Sequence, residues 1–153
     1  MYKGDADWKP IAAVKNNPRM HIPVFGNGDV DSPESAQEMR DRYGLDGAMI
    51  GRASIGNPWF FNQVKHYFKT GTHMDQPSLS DRVAVAKRHL EMSIAWKGEV
   101  LGVLETRRHY TNYFKGIQNF KPYRTAMVTA NDPQEVFDAF DRVLNEVVEP
   151  IWV

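Results

Sequence analysis

The sequence contains no cysteine, which excludes disulfide bonds and metal sites built on thiolate ligands. Its five histidines show no metal-ligand spacing, so we assign no metal site. No run of residues approaches the roughly 20 consecutive apolar positions that span a bilayer, and charges throughout the N-terminal region exclude the apolar centre of a signal peptide. The formal net charge is zero, which excludes a uniformly basic surface for nucleic acid.

The chain does contain enough apolar material for one or two small domains. It has 153 residues, of which 42% are apolar. A polar stretch with glycine and proline at 69–79 interrupts any apolar period. We therefore predict a first domain over 1–68, a linker over 69–79 and a second domain over 80–153.

The first region contains two short apolar segments that end in glycine-bearing loops, Ile22–Asp29 and Ala48–Arg52. Each is typical of a short buried strand. Between them, Ser32 is a suitable helix cap and Pro33 suits the first helical position, which predicts a strand, a helix and a strand in that order. Such a unit implies parallel strands, so both glycine loops lie at the same edge of the sheet.

Two further helices are predicted in this region. One covers about residues 8–15, and Asp5 and Asp7 before it are interpreted as capping residues rather than as an acid–base pair. The other begins at Pro58 with Asn57 as its cap, and the large apolar side chains of Trp59 and Phe60 are predicted to lie in the core.

The two glycine loops form a candidate phosphate cradle. Glycine lets backbone N–H groups approach an anion closely, a following helix adds its positive dipole end, and Arg52 adds a charged fork. In (β/α)₈ barrels, the loops after the last two strands often hold a phosphate in this way. Alternatively, Gly28 and Gly51 are simple turn residues and Arg52 is a surface charge. A dinucleotide fingerprint does not apply, because Asp31 occupies the position of its third glycine.

The second region has the pattern of a small four-helix bundle. The first helix is predicted to start at a Ser80 cap and to bury a face that includes Val83 and Leu90. The next helix covers 100–114, a shorter one begins near Tyr123, and the last covers 132–149.

The charge distribution in this region is uneven. No acidic residue occurs between Thr106 and Asn131, where basic and aromatic residues alternate. On a helix, Arg107, Thr111 and Lys115 would line up and could follow RNA phosphates. The alternative is a solvated helix face that is balanced by the acidic last helix.

Several stretches carry a resemblance to a known family. They are Tyr2–Trp8, Ile22–Asp29, Asp46–Ala53 and Gly56–Trp59, followed in the tail by Arg107–His109, Tyr113–Gly116 and Arg124. In content, order and spacing these stretches resemble the bacterial branch of the flavin-dependent tRNA-dihydrouridine synthases. The resemblance covers nearly the whole chain.

The resemblance implies an enzyme in which FMN, reduced by NADPH, reduces the C5–C6 double bond of uridines in tRNA while a cysteine supplies the proton. It assigns Asn27, Gly28 and Asp29 to the flavin-phosphate loop of the seventh barrel strand, and Gly51 and Arg52 to that of the eighth. It also implies a cytoplasmic protein whose helical domain contacts tRNA. The candidate RNA-binding residues are Arg107, Arg108, His109, Lys115, Lys121 and Arg124.

The chain departs from the family pattern because it lacks the cysteine and the stretches that hold the flavin ring. We therefore expect an α/β plus all-α fold: the C-terminal part of a (β/α)₈ TIM barrel, with its last two strands and their helices, followed by a small helical bundle. In this interpretation Met1 is an internal methionine of a longer protein and the fragment itself is inactive. Its open barrel edge favours self-association. The alternative is a stand-alone, non-catalytic RNA-binding or interaction module derived from the family.

Overall fold

The computed structural model describes residues 4–147, which divide into two compact units between Asp75 and Gln76. Each unit is described separately. The first contains three α-helices, two strands and a short 3₁₀ helix. In chain order these are α1 (Lys9–Lys15), β1 (Phe25–Asn27), α2 (Pro33–Asp41), β2 (Gly47–Met49), the 3₁₀ helix (Arg52–Ser54) and α3 (Phe60–Thr70).

The predicted strand–helix–strand unit is confirmed. β1 and β2 pair in parallel, with Gly26 opposite Ala48. Ser32 caps α2, because its side chain accepts the backbone N–H of Ser35 while the Ser35 hydroxyl accepts the N–H of Ser32. A Cβ at Gly26 would collide with the Met39 side chain of α2 and lie 2.5 Å from Cδ1 of Leu45, so glycine lets α2 pack closely on the strand. The parallel pairing places the two loops that follow these strands at one end of the sheet.

The prediction of buried strands is wrong for one face of this sheet. Gly26 is buried, but Phe25 is 65% exposed and Met49 is 59% exposed. The cause is the two-residue alternation of a strand, which turns Gly26 toward α2 and its neighbours away from it. The core of the unit lies on the helix side of the sheet, and its buried members are Val30, Ala36, Met39, Leu45, Phe60 and Val64.

The start predicted for α3 is also corrected. The helix begins at Phe60 rather than at Pro58, because residues 57–59 form a turn in which the Phe60 N–H donates to the Asn57 carbonyl at 3.3 Å. The predicted core position is confirmed for Phe60, which is buried, while Trp59 is half-buried. The carboxylate of Asp7 accepts the Lys9 N–H at 3.0 Å just before α1, although the N-cap residue is Trp8, which makes no side-chain capping bond.

The second unit contains four α-helices among its described residues. They are α4 (Leu79–Lys97), α5 (Glu99–Tyr113), α6 (Lys121–Thr129) and α7 (Pro133–Glu146). α4 packs on α5 and α7, and α6 packs on the same two helices. Tyr110, Phe114 and Phe140 are fully buried at the centre, where Tyr110 meets Phe140 edge to face at 5.4 Å.

Two details of the helical prediction are wrong. Ser78 caps α4, because its hydroxyl accepts the Asp81 N–H at 3.1 Å; Ser80 lies inside the helix. α7 ends at Glu146, before the predicted 149, and Pro150 lies outside the described residues. Within residues 4–147, none of the helices has the length and apolarity required to cross a membrane.

Candidate functional site

A cavity of about 580 Å³ lies at the end of the β1–β2 sheet in the first unit. It is formed by the two glycine loops that follow the strands. Its lining residues are Asn27, Gly28, Asp29, Val30, Asp31, Met49, Gly51, Arg52 and Ala53. The structure therefore brings together the five candidate phosphate-site residues that come from separate parts of the sequence.

The first loop depends on the conformation of Gly28. Its φ is +114°, and Asp29 follows with a φ of +48°. A Cβ at Gly28 would also lie 2.5 Å from the Cβ of Ala6. Two separate causes, backbone conformation and close approach of the chain at Ala6, thus require glycine at this position.

The second loop provides the cation. An Arg52 guanidinium nitrogen lies 2.5 Å from one carboxylate oxygen of Asp29, and the other oxygen accepts the Ala6 N–H at 2.8 Å. The Arg52 side chain is 75% exposed, so its outer donors face solvent. A guanidinium carries five N–H donors, and its contact with Asp29 leaves capacity for an anion.

Gly51 differs from Gly28 in its surroundings. Its φ is −106°, and a Cβ built on it would meet nothing within 4 Å. The space beside it belongs to the cavity. A side chain at this position would therefore fill part of the cavity, which is the arrangement expected where a ligand approaches the backbone closely.

The charges of the cavity decide which residues can hold a phosphate. An ionised carboxylate can accept hydrogen bonds but cannot donate them, so Asp29 and Asp31 would repel an anion, whereas Arg52 attracts one. Asp29 and Arg52 pair and are neutral together, so an anion would be held by the N–H donors that Arg52 still presents to solvent rather than by surplus positive charge. The residues therefore fit a phosphate through Arg52 and the glycine N–H groups, and Asp29 fits as the partner that orients Arg52. Asn27 also lines the cavity, and its amide nitrogen lies 3.4 Å from the Met49 sulfur.

In the second unit, the structure separates the candidate RNA-binding residues into two groups. Arg107 is half-buried; its guanidinium donates to the Ala130 carbonyl and, at 2.9 Å, to the Asn131 side-chain oxygen. It therefore ties α5 to the connection between α6 and α7. Arg108 is exposed, as are Lys115, Lys121 and Arg124.

The predicted alignment of Lys115 with Arg107 on one helix is wrong. α5 ends at Tyr113, so Lys115 follows the helix in a turn that contains Gly116, with a φ of +91°. The buried Arg82 holds this turn, because its guanidinium donates to the Lys115 carbonyl at 3.2 Å. Lys121 and Arg124 do share one face of α6, since they are three residues apart.

The aromatic residues of this stretch belong mainly to the core. Tyr110 and Phe120 are buried, and the Phe120 ring lies 4.8 Å from that of Phe114 and 5.7 Å from that of Tyr123. They are consequently not arranged as a row of exposed platforms on which bases could stack.

His109 packs against His89 of α4, with ring centroids 4.6 Å apart, and His89 Nδ1 lies 3.1 Å from the Tyr113 hydroxyl. Burial lowers the pKa of His109 to about 4, with further lowering by His89 and Arg108. Burial and Arg108 also lower the pKa of His89. Both rings are therefore neutral at pH 7, and His109 brings no positive charge to the surface.

Sequence reasoning missed three residues that shape these sites. Trp8 donates its indole N–H to the Gly28 carbonyl at 2.9 Å, Ala6 bonds Asp29, and Arg82 holds the Lys115 turn. Each bond joins residues that are at least twenty positions apart in the sequence. Among residues 4–147, no cluster of three or more His, Asp or Glu side chains is arranged to hold a metal ion.

Comparison with known proteins gives a consistent result. The family model described as Dihydrouridine synthase (Dus) matches residues 1–149. A probable tRNA-dihydrouridine synthase of Rickettsia conorii is 35% identical over 148 residues, which are 97% of this chain and 44% of the relative. A tRNA-dihydrouridine synthase B of Pseudomonas putida is 37% identical over 134 residues, 88% of this chain and 39% of the relative. One from Vibrio parahaemolyticus is 38% identical over 124 residues, 81% of this chain and 38% of the relative.

Proposed function

The chain belongs to the dihydrouridine synthase family, and on this premise we propose that it supplies the flavin-phosphate site and a tRNA-contacting surface of an enzyme that reduces uridine in tRNA to 5,6-dihydrouridine. The cavity beside Gly28, Gly51 and Arg52 carries the proposal. It combines an exposed guanidinium with a glycine whose missing side chain leaves ligand-sized space. The chain spans about two fifths of the length of these relatives, so the activity of a whole synthase enters here as a proposal.

The phosphate of FMN is the ligand that we assign to the cavity. Arg52 would bind a phosphate oxygen, Asn27 would donate from its amide, and the N–H groups beside Gly28 and Gly51 would add neutral donors. Asp29 would orient Arg52 without touching the phosphate. When bound, FMN reduced by NADPH supplies the hydride for the C5–C6 double bond of uridine.

The exposed sheet face supports placing this unit at the end of a (β/α)₈ barrel. Phe25 and Met49 project from the side of the sheet opposite α2 and are more than half exposed. In a barrel, the side of a strand that faces away from the helices is filled by side chains of the other strands. We propose the same environment for these two residues in a whole synthase, and self-association through this face and the strand edges for the chain alone.

The second unit is proposed to contact tRNA through four exposed cations. Arg108, Lys115, Lys121 and Arg124 are accessible, whereas Arg107 and His109 are occupied within the unit. Such contacts with phosphates carry affinity without sequence readout and weaken with salt. A cytoplasmic location follows from an activity on tRNA and is part of the proposal.

The 153 residues contain no cysteine, so we propose that this chain alone does not reduce uridine. The test is incubation of the chain with FMN, NADPH and bulk tRNA, followed by nucleoside analysis. Formation of dihydrouridine would refute the inactive assignment. Binding of tRNA without reduction is expected for the synthase-derived surface and also for an RNA-binding module, and a phosphate titration separates these two.

That titration follows backbone and arginine N–H signals by NMR as inorganic phosphate is added. We expect shifts at Gly28, Gly51 and the Arg52 Nε–H, and their loss in Arg52→Ala. Arg42→Ala is the matched control, because Arg42 is an exposed arginine of the same unit that pairs with Glu38 at 2.7 Å and lies outside the cavity lining. Equal responses of the two variants would remove the phosphate site from the proposal.

A further inference from the structure

The chain just before α1 lies against the first glycine loop and contacts it at two points. The Ala6 N–H donates to one Asp29 carboxylate oxygen at 2.8 Å, and the Trp8 indole N–H donates to the Gly28 carbonyl at 2.9 Å. A Cβ on Gly28 would lie 2.5 Å from the Ala6 Cβ, so the first glycine loop packs directly against the Ala6 methyl group. The 5–8 segment therefore limits the positions that this loop can take.

Trp8 is itself anchored in the first unit. Its ring meets Tyr43 edge to face at 5.6 Å and packs against the buried core. The indole N–H is thus directed at the loop by a side chain whose body is fixed elsewhere. A rigid donor loses little conformational freedom when it bonds, so this contact fixes the first glycine loop relative to the core of the unit.

Asp29 connects the segment to the cation of the second loop. Its two carboxylate oxygens divide their contacts, one to the Ala6 N–H and the other to Arg52 at 2.5 Å. An exposed arginine without such a partner samples many rotamers, and ordering it would reduce its affinity for a ligand. The link from Ala6 through Asp29 instead holds the guanidinium beside the cavity before an anion arrives.

We propose that Trp8 and Asp29 are positioning residues that pre-organise Arg52 for phosphate. This inference rests on the proposed phosphate site and deepens it, because neither residue touches the anion. It gives the Ala6–Trp8 stretch a role in the phosphate site, although this stretch lies outside the two glycine loops.

Trp8→Phe is the main test, because it removes the indole N–H and leaves an aromatic ring and the charge unchanged. We expect the heteronuclear NOE of the Arg52 Nε–H in the free protein to fall toward that of the exposed Arg42. We expect the Kd for inorganic phosphate to rise about threefold to tenfold, because binding must then order the Arg52 side chain that the free protein no longer holds in place. Trp96→Phe, at a tryptophan that is 82% exposed, is the matched control and should change neither value.

Asp29→Asn is the second variant, since Asp29 is exposed and its replacement should leave the unit folded. The Arg52 NOE should fall here too, while the Arg42 NOE stays constant. Unchanged Arg52 NOE values in both variants would overturn the positioning role, whether or not the Kd for phosphate changes. Absence of phosphate shifts in the wild type would instead refute the proposed phosphate site, and the Arg52 NOE values would still decide on positioning.

Discussion

Gly28→Ala isolates the contact on which the geometry of the first loop depends. The substitution adds one methyl group at a residue with a φ of +114°, and that methyl would lie 2.5 Å from the Ala6 Cβ. Carbon atoms in contact are normally about 3.5–4.0 Å apart, so the 5–8 segment or the loop must move by about 1 Å or more. The contacts of Ala6 with Asp29 and of Trp8 with Gly28 would be disrupted.

The expected loss has two parts. An alanine held at positive φ costs about 1–2 kcal/mol, and overpacking against Ala6 adds about 1–3 kcal/mol. We therefore expect Gly28→Ala to lower the free energy of unfolding of the first unit by about 3 kcal/mol. Gly44→Ala is the matched control, because Gly44 has a φ of +66° and no atom within 4 Å of an added Cβ. Only the backbone cost applies there, and we expect the free energy of unfolding to fall by about 1 kcal/mol.

The assay is urea unfolding of the two variants, of Ala6→Gly, which removes the opposing methyl group, and of the double variant Ala6→Gly with Gly28→Ala. The double-mutant cycle should recover about 1 kcal/mol or more of the loss through the Ala6–Gly28 contact. A loss no larger than that of Gly44→Ala, together with a coupling energy near zero, would refute the close-approach reasoning.

Three further predictions concern other positions. Gly51→Ala should leave the first unit folded, because an added Cβ would meet nothing within 4 Å, but it should weaken phosphate binding in the NMR titration; unaltered binding would separate Gly51 from the site. Gly102→Ala should destabilise the second unit by about 1–2 kcal/mol in urea unfolding despite its gain in helix propensity, because its Cβ would lie 2.7 Å from the Ile94 Cα. The pKa of His109 lies at about 4, below the usual value of 6.5, so the unfolded chain binds the proton more tightly. Stability should therefore fall as pH drops from about 6.5 to about 4, by about 1–2 kcal/mol after allowing for partial exposure, and His109→Gln should flatten this dependence in unfolding at several pH values.

Local signals predicted much of the first unit. Ser32 with Pro33 marks the start of α2, and glycines after two apolar segments mark the strand ends, because capping and turn chemistry depend on neighbouring residues. The glycine loops and Arg52 could be predicted to lie together for a second reason, because parallel strands bring their ends to one edge of the sheet. The exposure of Phe25 and Met49 could not be read from composition, because it depends on which strands lie beside them.

Contacts between distant segments explain what sequence reasoning missed. Arg107 resembles a surface cation on a helical wheel, yet its partners are at Ala130 and Asn131. The cap of α4 is an exception, because Ser78 is identified by a local bond to the Asp81 N–H that the prediction of Ser80 overlooked. The bond from Trp8 to Gly28 could not be predicted from the sequence, because a tryptophan suggests a core position but does not show which group its N–H binds.

The central claim is that the two glycine loops and Arg52 bind the phosphate of a flavin. The most direct measurement is the affinity of the 153-residue chain for FMN and for riboflavin, which differ by the phosphate alone, followed by flavin fluorescence. We predict weak binding of both, because the cavity offers little apolar surface for the ring, with FMN bound at least about fivefold more tightly and this preference lost in Arg52→Ala. Equal affinity for the two flavins, or a preference for FMN that persists without Arg52, would contradict the assignment.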